Sequence, residues 1–265
     1  MDRRSVPRWA AAAAVCALLL ATAGCADSAQ APAAQRPSSE PVPILMYHVI
    51  GPVAAGARLP ALFVRPNDFS AHVRALRRAG YHAVTLQRVW DAWHGRATLP
   101  RRPIVISFDD GTAGHVRHAL PVLRSVRWPG VLNLAWNFLP DIGGTMAVRR
   151  LARAGWEIDS HSLTHPDLTG LSDAELTREL TGSRARIRRA FGARAANFFA
   201  YPAGRHDARV RRAARAAGYL AATTIERGFA MPTADPYALR RIQVSRGMSA
   251  AALLRRLRDL RPSSS

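Results

Sequence analysis

The sequence contains no lysine: all 38 basic residues are arginines. Against 18 acidic residues they give a formal charge of +20, carried throughout by guanidinium groups. This usage, with its many alanines, reads as codon bias, and the charge as a solvated arginine-rich surface. The other reading is attraction to a polyanion. No zinc-finger, basic-zipper or RNP-type pattern accompanies the charge, and the arginines are scattered, which argues against a nucleic-acid partner. Cysteine is nearly absent. Only Cys16 and Cys25 occur, so the domain that follows them has no disulfide and no cysteine-ligated metal. The one strongly apolar run, residues 10–20, is too short to span a bilayer. No internal repeat is visible.

What the first 25 residues contain is an export pattern. Arg3, Arg4 and Arg8 form a basic start, residues 10–20 an apolar stretch, and small residues follow. Thr22-Ala23-Gly24-Cys25 resembles a lipobox, in which Cys25 becomes the lipidated N-terminus, although Thr22 stands where leucine is usual. Ala21-Thr22-Ala23 offers ordinary cleavage as the alternative. The expectation is an exported chain, anchored to a membrane through Cys25 or secreted if Cys25 is not lipidated. Residues 26–42, rich in Ala, Pro, Ser and Gln, read as a flexible tether.

From residue 43 to 261 short β-rich runs alternate with helical patterns. The runs are 44–48, 82–86, 104–108, 130–134, 157–160, 198–201, 220–225 and 241–244. Helical patterns are expected at 69–79 with Asp68 as cap, 172–191 opened by a Ser172–Glu175 capping box, 207–217 ending at Gly218, and 249–260. Such alternation implies parallel strands joined by right-handed crossovers. At 265 residues, with 48% hydrophobic content, the expected fold is α/β: a single distorted (β/α) barrel of about seven strands. Active sites of such barrels lie at the C-terminal ends of the strands. That rule selects His48, Asp109, Asp110, His161, His165 and the turn after Tyr201.

Two constellations carry chemistry. In Ser107-Phe108-Asp109-Asp110-Gly111 an apolar strand runs into two adjacent carboxylates, whose mutual repulsion calls for a positive neighbour. A polar turn with a helix cap is the plainer reading. In His161-Ser162-Leu163-Thr164-His165 two imidazoles four residues apart can face one point. With a carboxylate they make a three-ligand site that leaves a position open for water. Two unrelated surface histidines are the plainer reading there, since the chain has nine.

Together these segments resemble the polysaccharide deacetylase family, the NodB-homology carbohydrate esterases. Ser107–Gly111 is similar to the family's T/S-F-D-D-G motif, His161–His165 to its H-S/T-x-x-H motif, and Phe199-Ala200-Tyr201-Pro202-Ala203-Gly204 to a variant of its third. The resemblance implies a metal-dependent hydrolase that removes N-acetyl groups from a polysaccharide. Asp109 would be the general base, with Asp110, His161 and His165 on a divalent metal, zinc or else cobalt or nickel. The backbone N–H of Tyr201 would help to hold the oxyanion. Two family features are missing. No arginine occupies residues 195–198, where one commonly orients the base, and residues 240–245 supply no acid-donating histidine. The segment Pro43-Ile44-Leu45-Met46-Tyr47-His48-Val49-Ile50 is similar to the opening of poly-β-1,6-N-acetylglucosamine deacetylases. It makes His48 the candidate general acid. Trp136, Phe138 and Pro202 are candidates for contact with a sugar. The alternatives are a peptidoglycan or chitin-oligomer deacetylase, or a catalytically weak glycan-binding protein of the same fold.

Overall fold

The computed structural model describes residues 36–263; the export segment and Cys25 lie outside them. Seven parallel strands form a closed ring: β1 (Ile44–Tyr47), β2 (Pro103–Asp110), β3 (Val131–Leu134), β4 (Glu157–Ser160), β5 (Phe198–Ala200), β6 (Ala221–Arg227) and β7 (Leu239–Gln243). Neighbours in sequence pair in order, and β1 closes the ring by pairing with both β7 and β2. The expected seven-stranded barrel is therefore present.

Period-two alternation sorts each strand's side chains between two environments. On β2, Ile104, Ile106 and Phe108 join the large core between strands and helices, whereas Val105 joins a second cluster with Ile44, Val131, Phe198, Ala221 and Leu239. Those six belong to six different strands, so they fill the lower barrel lumen. Leu86, Val89 and Trp93 join them from the helix Leu86–Trp93, which closes the floor. The sequence expectation of a strand over 82–86 is corrected here: only His82–Ala83 pairs, against the start of β2. Thr85 instead caps the floor helix by accepting from the Arg88 N–H. The apolar spacing 86, 89, 93 is helical, and burial of that stripe overrides the strand-forming Val84-Thr85.

The outer helices follow their expected caps with one shift. Pro66–Arg78 begins at Pro66, so Asp68 lies in its first turn rather than capping it. Asp173–Phe191 carries the full Ser172–Glu175 capping box, and Asp207 and Ser249 cap Ala208–Ala216 and Ala250–Asp259. Each cap satisfies an otherwise orphaned N–H. Trp93 ties the incoming chain to the floor by donating from Nε1 to the Glu40 carbonyl.

Candidate metal centre

Two residues above the apolar layer, the same inward-facing positions turn polar. Pairing register sets Asp109 beside Asn133, and Asn133 beside Asp159. Next along β2 comes Asp110, and next after β4 comes His161. The loop that follows brings His165 back over the mouth. Its Nε2 lies 3.2 Å from that of His161, and Asp110 Oδ1 lies 3.6 and 3.5 Å from the two nitrogens. Three donors at zinc-ligand distances of about 2.0–2.2 Å in tetrahedral array would be about 3.3–3.5 Å apart, so the spacing matches a shared ion.

The protonation pattern matches too. His161 Nδ1 sits 2.7 Å from the Ala200 carbonyl, a contact that requires the proton on Nδ1 and leaves Nε2 a bare acceptor. Burial lowers the pKa of His161 to about 3 and lowers that of His165, so both rings are neutral at pH 7. Burial, reinforced by the Asp109 charge, raises Asp110 to about 6. The bare His161 Nε2, the Asp110 carboxylate and the neutral His165 ring converge on one point, and the residues present fit a divalent metal.

The backbone is bent to make this geometry. Asp110, Ser162 and His165 are three of the seven non-glycine residues with positive φ among the described residues, at 75°, 72° and 61°. Strain of this kind clusters at functional sites. Gly111 is required twice: its φ is +106°, and a Cβ there would lie 2.7 Å from Leu134 Cδ1. The buried Glu179 carboxylate holds the histidine loop, accepting from the Leu163 and Thr164 N–H groups and from the Thr164 hydroxyl at 2.8–2.9 Å. Ser162 Oγ accepts from the His165 N–H.

Asp109 is the most constrained group. Arg241 grips it with two parallel bonds of 2.8 Å, and Asn133 Nδ2 donates to Oδ1 at 2.7 Å. Arg241 is itself fully buried and held by the Thr224 carbonyl. Burial would raise the Asp109 pKa, but the Arg241 charge and hydrogen bonds outweigh it and hold the carboxyl far below the usual carboxylate range. Oδ1 takes two donors, while Oδ2 takes one and faces His48 Nε2 at 3.8 Å. His48 Nδ1 is buried with no partner among the described residues. The buried His115 pins that stretch: its Nδ1 accepts from the Thr112 N–H and its Nε2 donates to the His48 carbonyl.

Sequence reasoning missed Arg241, Glu179 and His115. The arginine absent from residues 195–198 is replaced in space by Arg241, two strands away on β7. Its signal was an arginine at an inward-facing position of a buried strand. Two expectations are corrected. The Tyr201 N–H donates to the Thr223 carbonyl across the parallel ladder and is not free for an oxyanion. Pro202 is buried and shapes the turn rather than offering a surface. Trp136 is half-buried against the outer core, and Phe138 lies 5.7 Å from the His165 ring.

Residues 96–222 match the polysaccharide deacetylase family. Those residues carry a polysaccharide deacetylase domain. It is 29% identical over 216 residues to YxkH of Bacillus subtilis (strain 168), assigned by name to the polysaccharide deacetylases, covering 80% of this chain and 74% of that one. A shorter stretch of 87 residues is 29% identical to the poly-β-1,6-N-acetyl-D-glucosamine N-deacetylase of Escherichia coli (strain K12), covering 33% of this chain and 13% of that one. Among solved structures, the deacetylase PplD of Streptococcus pyogenes in complex with acetate superposes with a TM-score of 0.76 at 23% identity, over 85% of this chain and 100% of that one. IcaB from Ammonifex degensii gives 0.69 at 20%, over 82% and 96%. These superpositions establish the shared barrel.

Proposed function

We propose that this deacetylase domain hydrolyses the N-acetyl groups of a poly-N-acetylglucosamine exopolysaccharide, using a divalent metal held by Asp110, His161 and His165. The observation that carries the reading is the convergence of those three donors beside a second, ionised carboxylate, Asp109. The local similarity to the Escherichia coli enzyme supports the choice of polymer.

A bound metal, zinc by the two-imidazole, one-carboxylate donor set, would polarise the acetyl carbonyl and acidify water. Asp109 Oδ2 is the oxygen with spare accepting capacity and takes the proton from the attacking water. Held ionised by Arg241, it is a weak base that gives the proton up again readily. His48 Nε2, 3.8 Å away, passes a proton to the departing amine. Arg241 positions Asp109 and touches no substrate. Phe138, beside His165, offers an apolar face to the sugar or the acetyl methyl group. In the same reading the chain is exported and held at a membrane through Cys25.

Acetate release measured across a panel of N-acetylated glycans, with and without a chelator, tests this. Release from poly-β-1,6-N-acetylglucosamine, abolished by chelation and restored by Zn²⁺, is expected. Preference for peptidoglycan or chitin oligomers would replace the substrate. Binding without release from any polymer would favour the glycan-binding alternative. Turnover of His48→Ala within a few-fold of wild type would remove His48 from the mechanism.

A further inference from the structure

Acidic residues occupy the first turns of two outer helices at the metal end: Asp68, Asp173 and Glu175. Arginines occupy the last turns at the floor end: Arg77, Arg124, Arg150, Arg153, Arg188 and Arg256 among them. Near the metal end, Arg205, Arg209 and Arg211 are each paired with an aspartate. At the floor end the arginines named above are not, among the described residues, and four unpaired ones gather at one place. Arg124, Arg127, Arg150 and Arg153 surround a cleft of about 580 Å³ walled by Trp128 and Pro129, with no carboxylate in its lining. None of the four forms an ion pair among the described residues. Favourable interaction with helix C-termini accounts for three of them. It does not account for Arg127, which lies beyond its helix in a left-handed conformation, φ 57°.

We propose that this cleft binds the phosphate groups of anionic phospholipids, so that the domain rests on a membrane by its floor with the metal centre facing away. Guanidinium forks match phosphate oxygens bidentately, and an anionic leaflet attracts arginines near its surface. The choice of a membrane over another polyanion rests on where the chain enters. Residues 38–42 run along the floor: Ser38 donates to the Ala92 carbonyl, and Val42 sits in the lower-lumen cluster. The chain therefore enters the described domain at the end of the barrel that carries the cleft.

The test compares the protein's affinity for vesicles of phosphatidylcholine alone and with phosphatidylglycerol added. The ratio is the readout, because any N-terminal lipid contributes equally to both. Replacing Arg124, Arg127, Arg150 and Arg153 together by glutamine should lower the ratio at least tenfold. A charge-matched control, glutamine at Arg65, Arg178, Arg186 and Arg212, all exposed, should leave it within about threefold, since charges remote from the contact are screened within about 10 Å. Acetate release should be unchanged in both variants. Equal loss in both would reduce the effect to net charge and overturn the site. Retention in the cleft variant would do the same. A wild type that ignores anionic vesicles yet binds polyphosphate through the cleft would overturn the membrane reading.

Discussion

The lower and upper halves of the barrel lumen are built from one ring of strands, the upper residues standing two to four positions further along or just past a strand's end. Below are Ile44, Val105, Val131, Phe198 and Leu239; above are Ser107, Asp109, Asn133, His161 and Arg241. The lower half excludes water and returns burial energy, about 1.5–3 kcal/mol for each large side chain. The upper half buries a carboxylate, an arginine and an imidazole, each tolerable only because its partners are in place. One alternation along a strand therefore separates a layer that stabilises from a layer that reacts. Substitution in the two layers should fail in different ways.

The largest effects on turnover belong above. Asp109→Asn should cut acetate release by about 10²–10⁴-fold, while circular dichroism and thermal unfolding remain those of a folded barrel. Arg241→Met should damage both layers of behaviour. It strips a buried carboxylate of its counter-charge, costing about 3–5 kcal/mol, and lets Asp109 turn. Denaturant unfolding of Arg241→Met, Asp109→Asn and the double variant should show the double variant more stable than Arg241→Met alone, with activity still lost. Below, Phe198→Ala should cost about 3–5 kcal/mol in unfolding free energy, yet leave kcat within a few-fold at temperatures where the chain is folded. A comparable loss of kcat would erase the division between the layers. Glu179→Gln keeps the shape of the clamp and removes its charge, and should weaken zinc affinity by about tenfold in calorimetric titration.

The smallest effect is on pH dependence. Burial lowers the pKa of His115 to about 4, against about 6.5 in the unfolded chain. The unfolded state therefore binds more protons between these values. The stability contributed by the neutral ring is present above pH 6.5 and is lost as pH falls toward 4. His115→Leu should be less stable at pH 7 and show a flatter decline of unfolding free energy across that window.

Much of this was legible in the sequence. Strand alternation, the helix caps and the two short motifs placed Asp109, Asp110, His161 and His165 at strand ends, because period-two burial and cap chemistry are local properties. Arg241 was not legible as a partner of Asp109: the two lie 132 residues apart, and only ring closure brings β7 near β2. Glu179 was hidden for a related reason. A glutamate in a helix reads as solvated, and its burial depends on a loop from another unit folding over it. Tyr201 failed in the other direction, since a motif match says nothing of whether a backbone N–H is already taken by the ladder.

The claim on which the rest depends is that Asp110, His161 and His165 share one ion while Asp109 stands beside it without being needed to hold it. Metal content per chain, measured by mass spectrometry after dialysis against limiting zinc, addresses this most directly. The account predicts one zinc per chain in wild type and in Asp109→Asn, and none in His161→Ala. Zinc retained by His161→Ala, or lost from Asp109→Asn, would contradict it.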